Sequence, residues 1–182
     1  MNNSVVILVS GGIDSSALIK YYIDHGLIVR GIHFQYDQPS AKSEINSVRK
    51  ISEYYNIETD FVELGFKPSA RGSEFIGRNA IFVLSALSLL RDNEKRLALG
   101  IHAGVSYYDS TEIFMSHCQN IIDGYFSGTV SLEAPFMKLN KGQIYEYAKQ
   151  IQLPIILTYS CETQNTPCGT CDSCKDRREL SW

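Results

Sequence analysis

The sequence predicts an α/β fold, in which a parallel β-sheet carries helices on both of its faces. Three observations support this class. Short apolar runs alternate with segments of helical periodicity along the 182 residues. The first run, "VVILV" at 5–9, is continuous and β-branched, which is typical of a strand buried on both faces. No repeat, low-complexity segment or linker interrupts the pattern, so a single domain is expected over 1–182.

Each element follows from a local pattern. Further strands are expected at short apolar runs, at 28–34, 59–64, 96–101 and 130–136. Helices are expected where apolar residues recur on one stripe, at 14–25, 43–55, 79–90, 112–122 and 140–150. The helix at 79–90 is apolar enough to be mostly buried, and Asn140 is the expected N-cap of the last helix.

Three polar stretches follow predicted strands, at 10–16, 35–44 and 102–109. Ligands of open parallel sheets bind at the carboxyl ends of the strands, so these stretches are the candidate site. His102 stands at such a strand end and is a candidate to face the site.

The composition is that of an ordinary globular protein, with 44% hydrophobic residues, 20% charged residues and a net charge of −3. This charge does not favour a nucleic-acid partner. No run reaches the roughly 18 apolar residues of a membrane span, and the first residues lack the basic region of a signal peptide. A cytoplasmic, reducing location is expected, where clustered cysteines bind metal more often than they pair.

The stretch "LVSGGIDSSAL" (8–18) predicts an anion cradle. Two glycines let the backbone approach a ligand, serine hydroxyls surround them, and a helix N-terminus follows. The stretch is neither a Walker A loop nor a dinucleotide-binding motif. The alternative is a tight turn in which Asp14 caps the helix. The candidate phosphate-binding residues, which the resemblance described below implies to be ATP-binding, are Leu8, Val9, Ser10, Gly11, Gly12, Ile13, Asp14, Ser15, Ser16, Ala17 and Leu18.

The stretch "CETQNTPCGTCDSCKDRR" (161–178) gathers four cysteines with the spacing C-x6-C-x2-C-x2-C. The candidate metal ligands are Cys161, Cys168, Cys171 and Cys174. Four thiolates suit a structural zinc ion, and the basic residues that follow can offset the net negative charge of such a site. An iron–sulfur cluster is the first alternative, and disulfides or free thiols are the others.

The glycine stretch resembles the pyrophosphate loop, S-G-G-x-D-S, of the ATP pyrophosphatases, which cleave ATP to AMP and pyrophosphate. Together with the cysteine spacing it resembles the 7-cyano-7-deazaguanine synthase family. Further resemblances lie in "EFIGRNAIFVLSAL" (74–87), "YYDSTEIF" (107–114), "EAPFMKLNKGQIYEYA" (133–148) and "YSCETQNTPCGTCDSCKDR" (159–177). The resemblance therefore covers almost the whole chain, and the cysteine segment is its most specific part.

The resemblance implies an adenine nucleotide alpha hydrolase-like fold with a zinc-binding segment at 159–178, and a homodimer. It implies that ATP adenylates 7-carboxy-7-deazaguanine and that ammonia converts the product to the amide and then the nitrile. Asp14 would act through Mg²⁺. Arg78 and Lys141 would stabilise departing pyrophosphate, although each could also be a solvated surface residue. The implied substrate-binding residues are Gln38, Arg78, Asn79 and Asp109, of which Asn79 could instead cap a helix and Asp109 could lie in a solvated loop.

One segment departs from the family pattern. The family has Y-G-Q-R-H-x-x-E after its second strand, whereas this chain has "YDQPSAKSE" (36–44), with Pro39 and Ser40 in place of Arg and His. His102 also stands where the family has another residue. Two alternatives to the nitrile synthase therefore stay open. One is transfer of the activated acid to another amine, such as a protein N-terminus, as suggested by relatives in antiphage gene clusters. The other is a nucleotide-binding module without turnover.

Overall fold

A computed structural model describes residues 3–71, 74–104 and 107–179. Residues 105 and 106 of the candidate stretch 102–109 lie outside this description. The strands are β1 (Ser4–Leu8), β2 (Ile28–Gln35), β3 (Glu58–Glu63), β4 (Ala70–Arg71), β5 (Glu74–Phe75), β6 (Arg96–Ala98) and β7 (Ser131–Glu133). The helices are α1 (Ile13–Asp24), α2 (Ala41–Tyr55), α3 (Arg78–Leu87), α4 (Glu112–Phe126), α5 (Lys141–Gln150) and α6 (Asp172–Glu179).

The main sheet has five strands in the order β3-β2-β1-β6-β7, and every neighbouring pair is parallel. Chain order reverses on the two sides of β1, since β2 lies on one side and β6 on the other. In a sheet of this kind the crevice beyond the carboxyl ends at the reversal is the usual ligand position. The glycine loop leaves β1 at this point.

Two apolar cores confirm that helices cover both faces of the sheet. Successive side chains of a strand point to opposite faces. Val5 and Ile7 of β1 accordingly pack in a core that includes residues of α1, α2 and α5, whereas Val6 packs in a second core with residues of α3 and α4. All three valine and isoleucine side chains are fully buried, as the continuous apolar run predicts.

The strands β6 and β7 are both shorter than predicted. At Gly100 an added Cβ atom would lie 3.2 Å from the backbone nitrogen of Ser15, so the backbone there packs against the start of α1. The helix predicted at 79–90 ends at Leu87 and is buried on one side only, since Leu84 is 40% exposed. The expectation that this helix is mostly buried is wrong. Helix α4 continues to Phe126, four residues beyond its predicted end.

The pair β4–β5 and the helix α6 have no counterpart in the sequence prediction. The strands β4 and β5 are two residues each, too short to show a period. Helix α6 contains no buried residue. Its Arg177 attaches it to the sheet domain by donating hydrogen bonds to the carbonyl oxygens of Thr158 and Ile155, at 3.1 and 2.8 Å. In the described part of the chain, no helix combines the length and apolarity that a membrane span requires.

Candidate functional site

The glycine loop is shaped by contacts with α2. Gly11 has a φ of +79°, and a Cβ atom there would lie 3.0 Å from the side chain of Ser47 and the carbonyl of Glu44. Glycine is therefore required twice, by conformation and by space. The hydroxyl of Ser47 lies 2.7 Å from the carbonyl oxygens of both Gly11 and Leu157. This contact joins the loop to the segment that leads into the cysteines.

Serine hydroxyls close the loop on itself. The backbone N–H of Ser10 donates to Ser15 Oγ at 3.2 Å, and Ser16 Oγ donates to the carbonyl of Gly12 at 2.8 Å. Gly12 is the N-cap of α1, and no side chain caps this helix. Asp14 does not cap it, so the interpretation of Asp14 as a helix cap is wrong. The N–H groups and positive dipole end of α1 are consequently available to an anion.

The apolar members of the predicted ATP-binding stretch have a different place. Val9, Ile13, Ala17 and Leu18 are buried in the core below the loop, and Leu8 packs against the opposite core. Their side chains anchor the loop between β1 and α1. The side chains of Val9, Ile13, Ala17 and Leu18 are buried, so these four residues would meet a nucleotide through the backbone, whereas Leu8 is half-buried. The assignment of all five as ATP-binding stays a prediction.

Asp14 and Lys141 form an ion pair beside the loop. Lys141 Nζ lies 2.6 Å from Asp14 Oδ2, and the two side chains are 24% and 22% exposed. Lys141 is the first residue of α5, whose start is fixed by a capping box of Asn140 and Gln143. The expected N-cap at Asn140 is thus confirmed. His102 Nε2 lies 4.0 Å from the same carboxylate oxygen, so His102 faces this site.

A second group of polar residues surrounds Arg78 at the start of α3. Arg78 is half-buried and donates to the hydroxyl of Tyr36 at 3.4 Å. Among the described residues, no carboxylate lies within 4.0 Å of its guanidinium. Burial works to lower the pKa of Arg78, but the fields of Tyr36, Asp109 and Glu44 raise it above its ordinary value. Burial raises the pKa of Tyr36. Arg78 is therefore a half-buried cation without a carboxylate partner among the described residues.

Asp109 and Asn79 bind each other. The backbone N–H of Asn79 donates to Asp109 Oδ2 at 3.1 Å, and the Asn79 side chain donates to the carbonyl of Asp109 at 2.9 Å. Asp109 is buried, which is contrary to the alternative of a solvated loop. Asn79 is not the cap of α3, because Gly77 is its N-cap. The pair fixes the segment 107–111 against the start of α3, and its binding of substrate stays a prediction.

The segment 36–44 is held by its own side chains. Gln38 accepts from the N–H of Tyr36 at 2.9 Å and donates to Glu44 Oε2 at 2.8 Å, while Ser40 donates to Glu44 Oε1 at 2.5 Å. Gln38 and Ser40 are both buried. Pro39 and Ser40, which replace the Arg and His of the family pattern, carry no positive charge. Gln38 stabilises the conformation of the segment through its two hydrogen bonds.

The four cysteines converge. Their Sγ atoms all lie within 4.8 Å of one another. Cys168 and Cys174 have Sγ atoms 3.9 Å apart, close to the separation of about 3.8 Å expected for two thiolates about 2.3 Å from one tetrahedral zinc ion. The predicted grouping of these cysteines is therefore confirmed, and the donor set suits a tetrahedral metal ion. Cys118 lies apart, buried in α4.

Hydrogen bonds favour the thiolate form that a metal requires. Donors from Thr163, Thr170 and the backbone N–H groups of Thr170 and Cys171 lower the pKa of Cys168 to about 4. Burial acts to raise the pKa of Cys161, but bonds from Thr163 outweigh it and lower the pKa. Burial raises the pKa of Cys171. Hydrogen bonding thus favours the thiolate form of Cys168 and Cys161, whereas burial opposes it at Cys171.

The cysteine segment is bonded to both sides of the site. The N–H of Tyr159 donates to the carbonyl of Gly11 at 2.9 Å. Asn165 accepts from the N–H of Ser43 at 3.1 Å, and Ser43 Oγ donates to the Asn165 carbonyl at 2.6 Å. The segment is therefore one wall of the site, in contact with the glycine loop and with the start of α2.

Sequence reasoning missed the supporting residues of this site. Tyr36, Ser43, Ser47 and Tyr159 act through bonds to partners far away in the chain. A lone serine on a helix carries no pattern that distinguishes it from a solvated one. The spacing of Ser43 and Ser47, one helical turn apart on α2, was the only available signal.

Comparisons with known proteins agree with this geometry. A family model described as "Queuosine biosynthesis protein QueC" matches residues 4–76 and 70–180. A 7-cyano-7-deazaguanine synthase from Nautilia profundicola is 28% identical over 211 residues, which cover 97% of this chain and 92% of that protein. Because the alignment is longer than the 182-residue chain, the relative has segments that this chain lacks.

Two solved structures share the fold. The U34-tRNA thiolase NcsA from Methanococcus maripaludis, with its 4Fe–4S cluster, has a TM-score of 0.57 and 16% identity, over 98% of this chain and 64% of that chain. NMN synthetase from Francisella tularensis has a TM-score of 0.56 and 20% identity, over 87% of this chain and 66% of that chain. The chain thus spans about two thirds of each solved protein. The predicted PP-loop, adenine nucleotide alpha hydrolase-like fold is confirmed.

Proposed function

The chain belongs to the QueC family of queuosine biosynthesis, and on that premise we propose that it is an ATP-dependent 7-cyano-7-deazaguanine synthase. It adenylates 7-carboxy-7-deazaguanine, and ammonia then converts the activated acid to the amide and the nitrile. The observation that carries the proposal is the Asp14–Lys141 pair beside a glycine loop whose helix has no side-chain cap.

The first step needs activation because a carboxylate would have to expel oxide. Its oxygen attacks the α-phosphorus of ATP, the bond to the β-phosphate breaks, and pyrophosphate leaves with the electron pair. Negative charge grows on the departing group. The N-terminus of α1 and Lys141 supply donors and positive charge there. Ammonia then attacks the acyl carbon, the bond to AMP breaks, and a proton is lost to give the amide. The amide oxygen attacks a second ATP, which releases pyrophosphate, and departure of AMP with loss of both N–H protons gives the nitrile.

Asp14 is the proposed ligand for Mg²⁺ that enters with ATP. Its Oδ1 is buried and has no hydrogen-bond partner among the described residues. Burying a carboxylate oxygen without a partner is costly, so this atom fits a role as a cation ligand. Such an ion, held by Asp14, would neutralise negative charge on the phosphates. The chain itself contributes the carboxylate of Asp14 and a second cation, Lys141. When ATP binds, the ammonium group of Lys141 would leave Asp14 and bind a phosphate oxygen.

Arg78 is the proposed ligand for the carboxylate of the acid. The guanidinium is half-buried, keeps its charge, and faces the hydroxyl of Tyr36 rather than an acid. A planar guanidinium matches a carboxylate with two parallel hydrogen bonds. The neighbouring wall of the site is proposed to consist of Asn79, Asp109 and Gln38. These residues would bind the purine-like edge of the acid through polar atoms that their bonds within the protein leave available.

The cysteine cluster is proposed to hold one zinc ion, with an iron–sulfur cluster as the alternative. The alternative has a specific basis, because the structurally similar NcsA carries such a cluster. Metal analysis with zinc and iron measured separately decides between them. Protein with neither metal, and with all thiols titratable in the native state, would reject the site. The homodimer implied by the family is proposed as well, and sedimentation velocity tests it.

A second candidate function is transfer of the activated acid to another amine, such as a protein N-terminus. The observation that favours it is the segment 36–44, where buried Ser40 bonds to Glu44 at a position occupied by a basic residue in the family pattern. The shorter chain also leaves out segments that its relatives have. Without the basic residues, the site is expected to position ammonia less well. Without the missing segments, the adenylate is expected to lie closer to the surface, where a larger amine can reach it.

Two measurements test these functions. Pyrophosphate release from ATP, with and without 7-carboxy-7-deazaguanine, separates an activating enzyme from a nucleotide-binding module. Mass spectrometry of products, formed first with ammonia and then with candidate proteins, separates synthase from transferase. We expect acid-dependent pyrophosphate release and free nitrile. A protein that gains the mass of the deazaguanine acyl group would establish transfer instead. No pyrophosphate and no product would reject both.

A further inference from the structure

His102 has a bonding pattern that the proposed chemistry does not yet use. The residue lies four positions beyond the end of β6, and its side chain is 15% exposed. Its Nε2 lies 4.0 Å from Asp14 Oδ2. This distance is too long for a hydrogen bond between the two atoms.

The other ring nitrogen fixes the tautomer. Nδ1 lies 2.7 Å from the carbonyl oxygen of Ala103. A carbonyl oxygen can only accept, so Nδ1 donates this bond, and Nε2 is the ring nitrogen that can offer a lone pair to a cation. Ala103 is itself held in place, because its N–H donates to the carbonyl of Leu139 at 2.8 Å. Nε2 of His102 therefore faces a carboxylate oxygen of Asp14 across 4.0 Å.

Two acceptors at this separation fit a shared cation. Ligand atoms about 2.1 Å from one ion lie about 3 Å apart at right angles and about 4.2 Å apart when opposite. The buried Oδ1 of Asp14 also lacks a partner among the described residues. Histidine ligands almost always donate their other N–H to a carboxylate or a backbone carbonyl, as His102 does to Ala103.

We infer that His102 is a ligand, through Nε2, of the divalent cation that Asp14 binds beside the phosphates of ATP. This inference rests on the proposed function and names a residue of the same site. Mg²⁺ is bound through oxygen, whereas imidazole is a ligand of transition metals. The nitrogen ligand is therefore expected to make Mn²⁺ bind more tightly than Mg²⁺. Lys141 leaves Asp14 Oδ2 for a phosphate oxygen when the cation binds.

The test uses Mn²⁺ as a spectroscopic probe on the full chain, with α,β-methylene-ATP to prevent turnover. Pulsed electron paramagnetic resonance detects nitrogen bound to Mn²⁺, and protein labelled with ¹⁵N-histidine distinguishes imidazole from adenine. His102→Asn retains a donor for the Ala103 carbonyl but has no atom at the Nε2 position. His25→Asn is the matched control, since His25 Nδ1 also bonds a backbone carbonyl, that of Tyr21, at the far end of α1.

The expected result is ¹⁵N coupling in the unmodified protein and in His25→Asn, and its loss in His102→Asn together with an at least tenfold weaker Mn²⁺ affinity. Mn²⁺ bound without histidine coupling, but lost in Asp14→Asn, would overturn the inference and leave the proposed function intact. Coupling that persists in His102→Asn would overturn it too. Failure to bind Mn²⁺ with the nucleotide would overturn both the inference and the proposed role of Asp14.

Discussion

The two sides of the candidate site are built in different ways. On the phosphate side, the backbone of the glycine loop and the start of α1 provide the donors, and Asp14 retains a buried oxygen without a partner among the described residues. On the side proposed to bind the acid, in the segment 36–44, Gln38 and Ser40 both donate to Glu44. The first side is therefore ready for a ligand, whereas the second side mainly supports its own shape.

This difference indicates which substitutions remove chemistry and which remove support. Loss of a group with an atom left available to a ligand should impair turnover more than folding. Loss of a group that bonds neighbouring segments should lower stability and affect turnover indirectly. The four substitutions below test that distinction, from the largest expected effect to the smallest.

Asp14→Asn is expected to lower acid-dependent pyrophosphate release by about a hundredfold or more, because it removes the charge that holds the cation on the phosphates. The fold should be retained, since Asp14 caps no helix and the amide oxygen of Asn can still accept from Lys141. Steady-state pyrophosphate assays and circular dichroism measure both. Asp24→Asn, at the other end of α1, is the control and should match the unmodified protein. Near-normal release by Asp14→Asn would remove this residue from the mechanism.

Cys171→Ser is expected to reduce metal affinity by at least about tenfold and to loosen the segment 159–179. Pyrophosphate release should fall as well, because the N–H of Tyr159 in this segment bonds to Gly11. Metal analysis and activity are the measurements, with Cys118→Ala as the control that keeps the metal. If metal is lost and pyrophosphate release stays normal, the cysteine segment does not support the phosphate side.

Ser47→Ala is expected to destabilise the protein by about 1–3 kcal/mol, because the carbonyls of Gly11 and Leu157 lose a buried donor. The melting temperature should fall by about 2–4 °C for each kcal/mol. Ser52→Ala on the same helix removes a hydroxyl that bonds to the half-buried hydroxyl of Thr59, and a smaller shift is expected. Equal shifts in the two variants would show that the shared contact of Ser47 has no special weight.

Glu44→Gln is expected to have the smallest effect. One of the two bonds from Gln38 and Ser40 loses its acceptor, at a cost of about 1 kcal/mol. The KM for the acid should rise by no more than roughly fivefold, the value reached if all of that energy were lost from binding, while pyrophosphate release at saturating acid stays close to normal. Glu53→Gln on the exposed part of α2 is the control. A large fall in turnover without a change in KM would place Glu44 in the chemistry.

The sequence predicted the parts of this protein that depend on local pattern. The strand before the loop, the glycines and the cysteine spacing each follow from neighbouring residues, and the structure places them as expected. The segment 36–44 could not be predicted in the same way, because its shape depends on side-chain bonds between Gln38, Ser40 and Glu44. Helix α6 was missed because it has no buried face to produce a period.

The carbonyl of Gly11 has one more consequence, which concerns amide hydrogen exchange. It accepts the N–H of Tyr159, a residue outside any helix or strand. This amide can exchange with solvent only when the glycine loop and the cysteine segment separate. Tyr159 should therefore exchange as slowly as the core amides of β1, and binding of ATP should slow it further. Rapid exchange at Tyr159 would mean that the two segments open independently of the sheet.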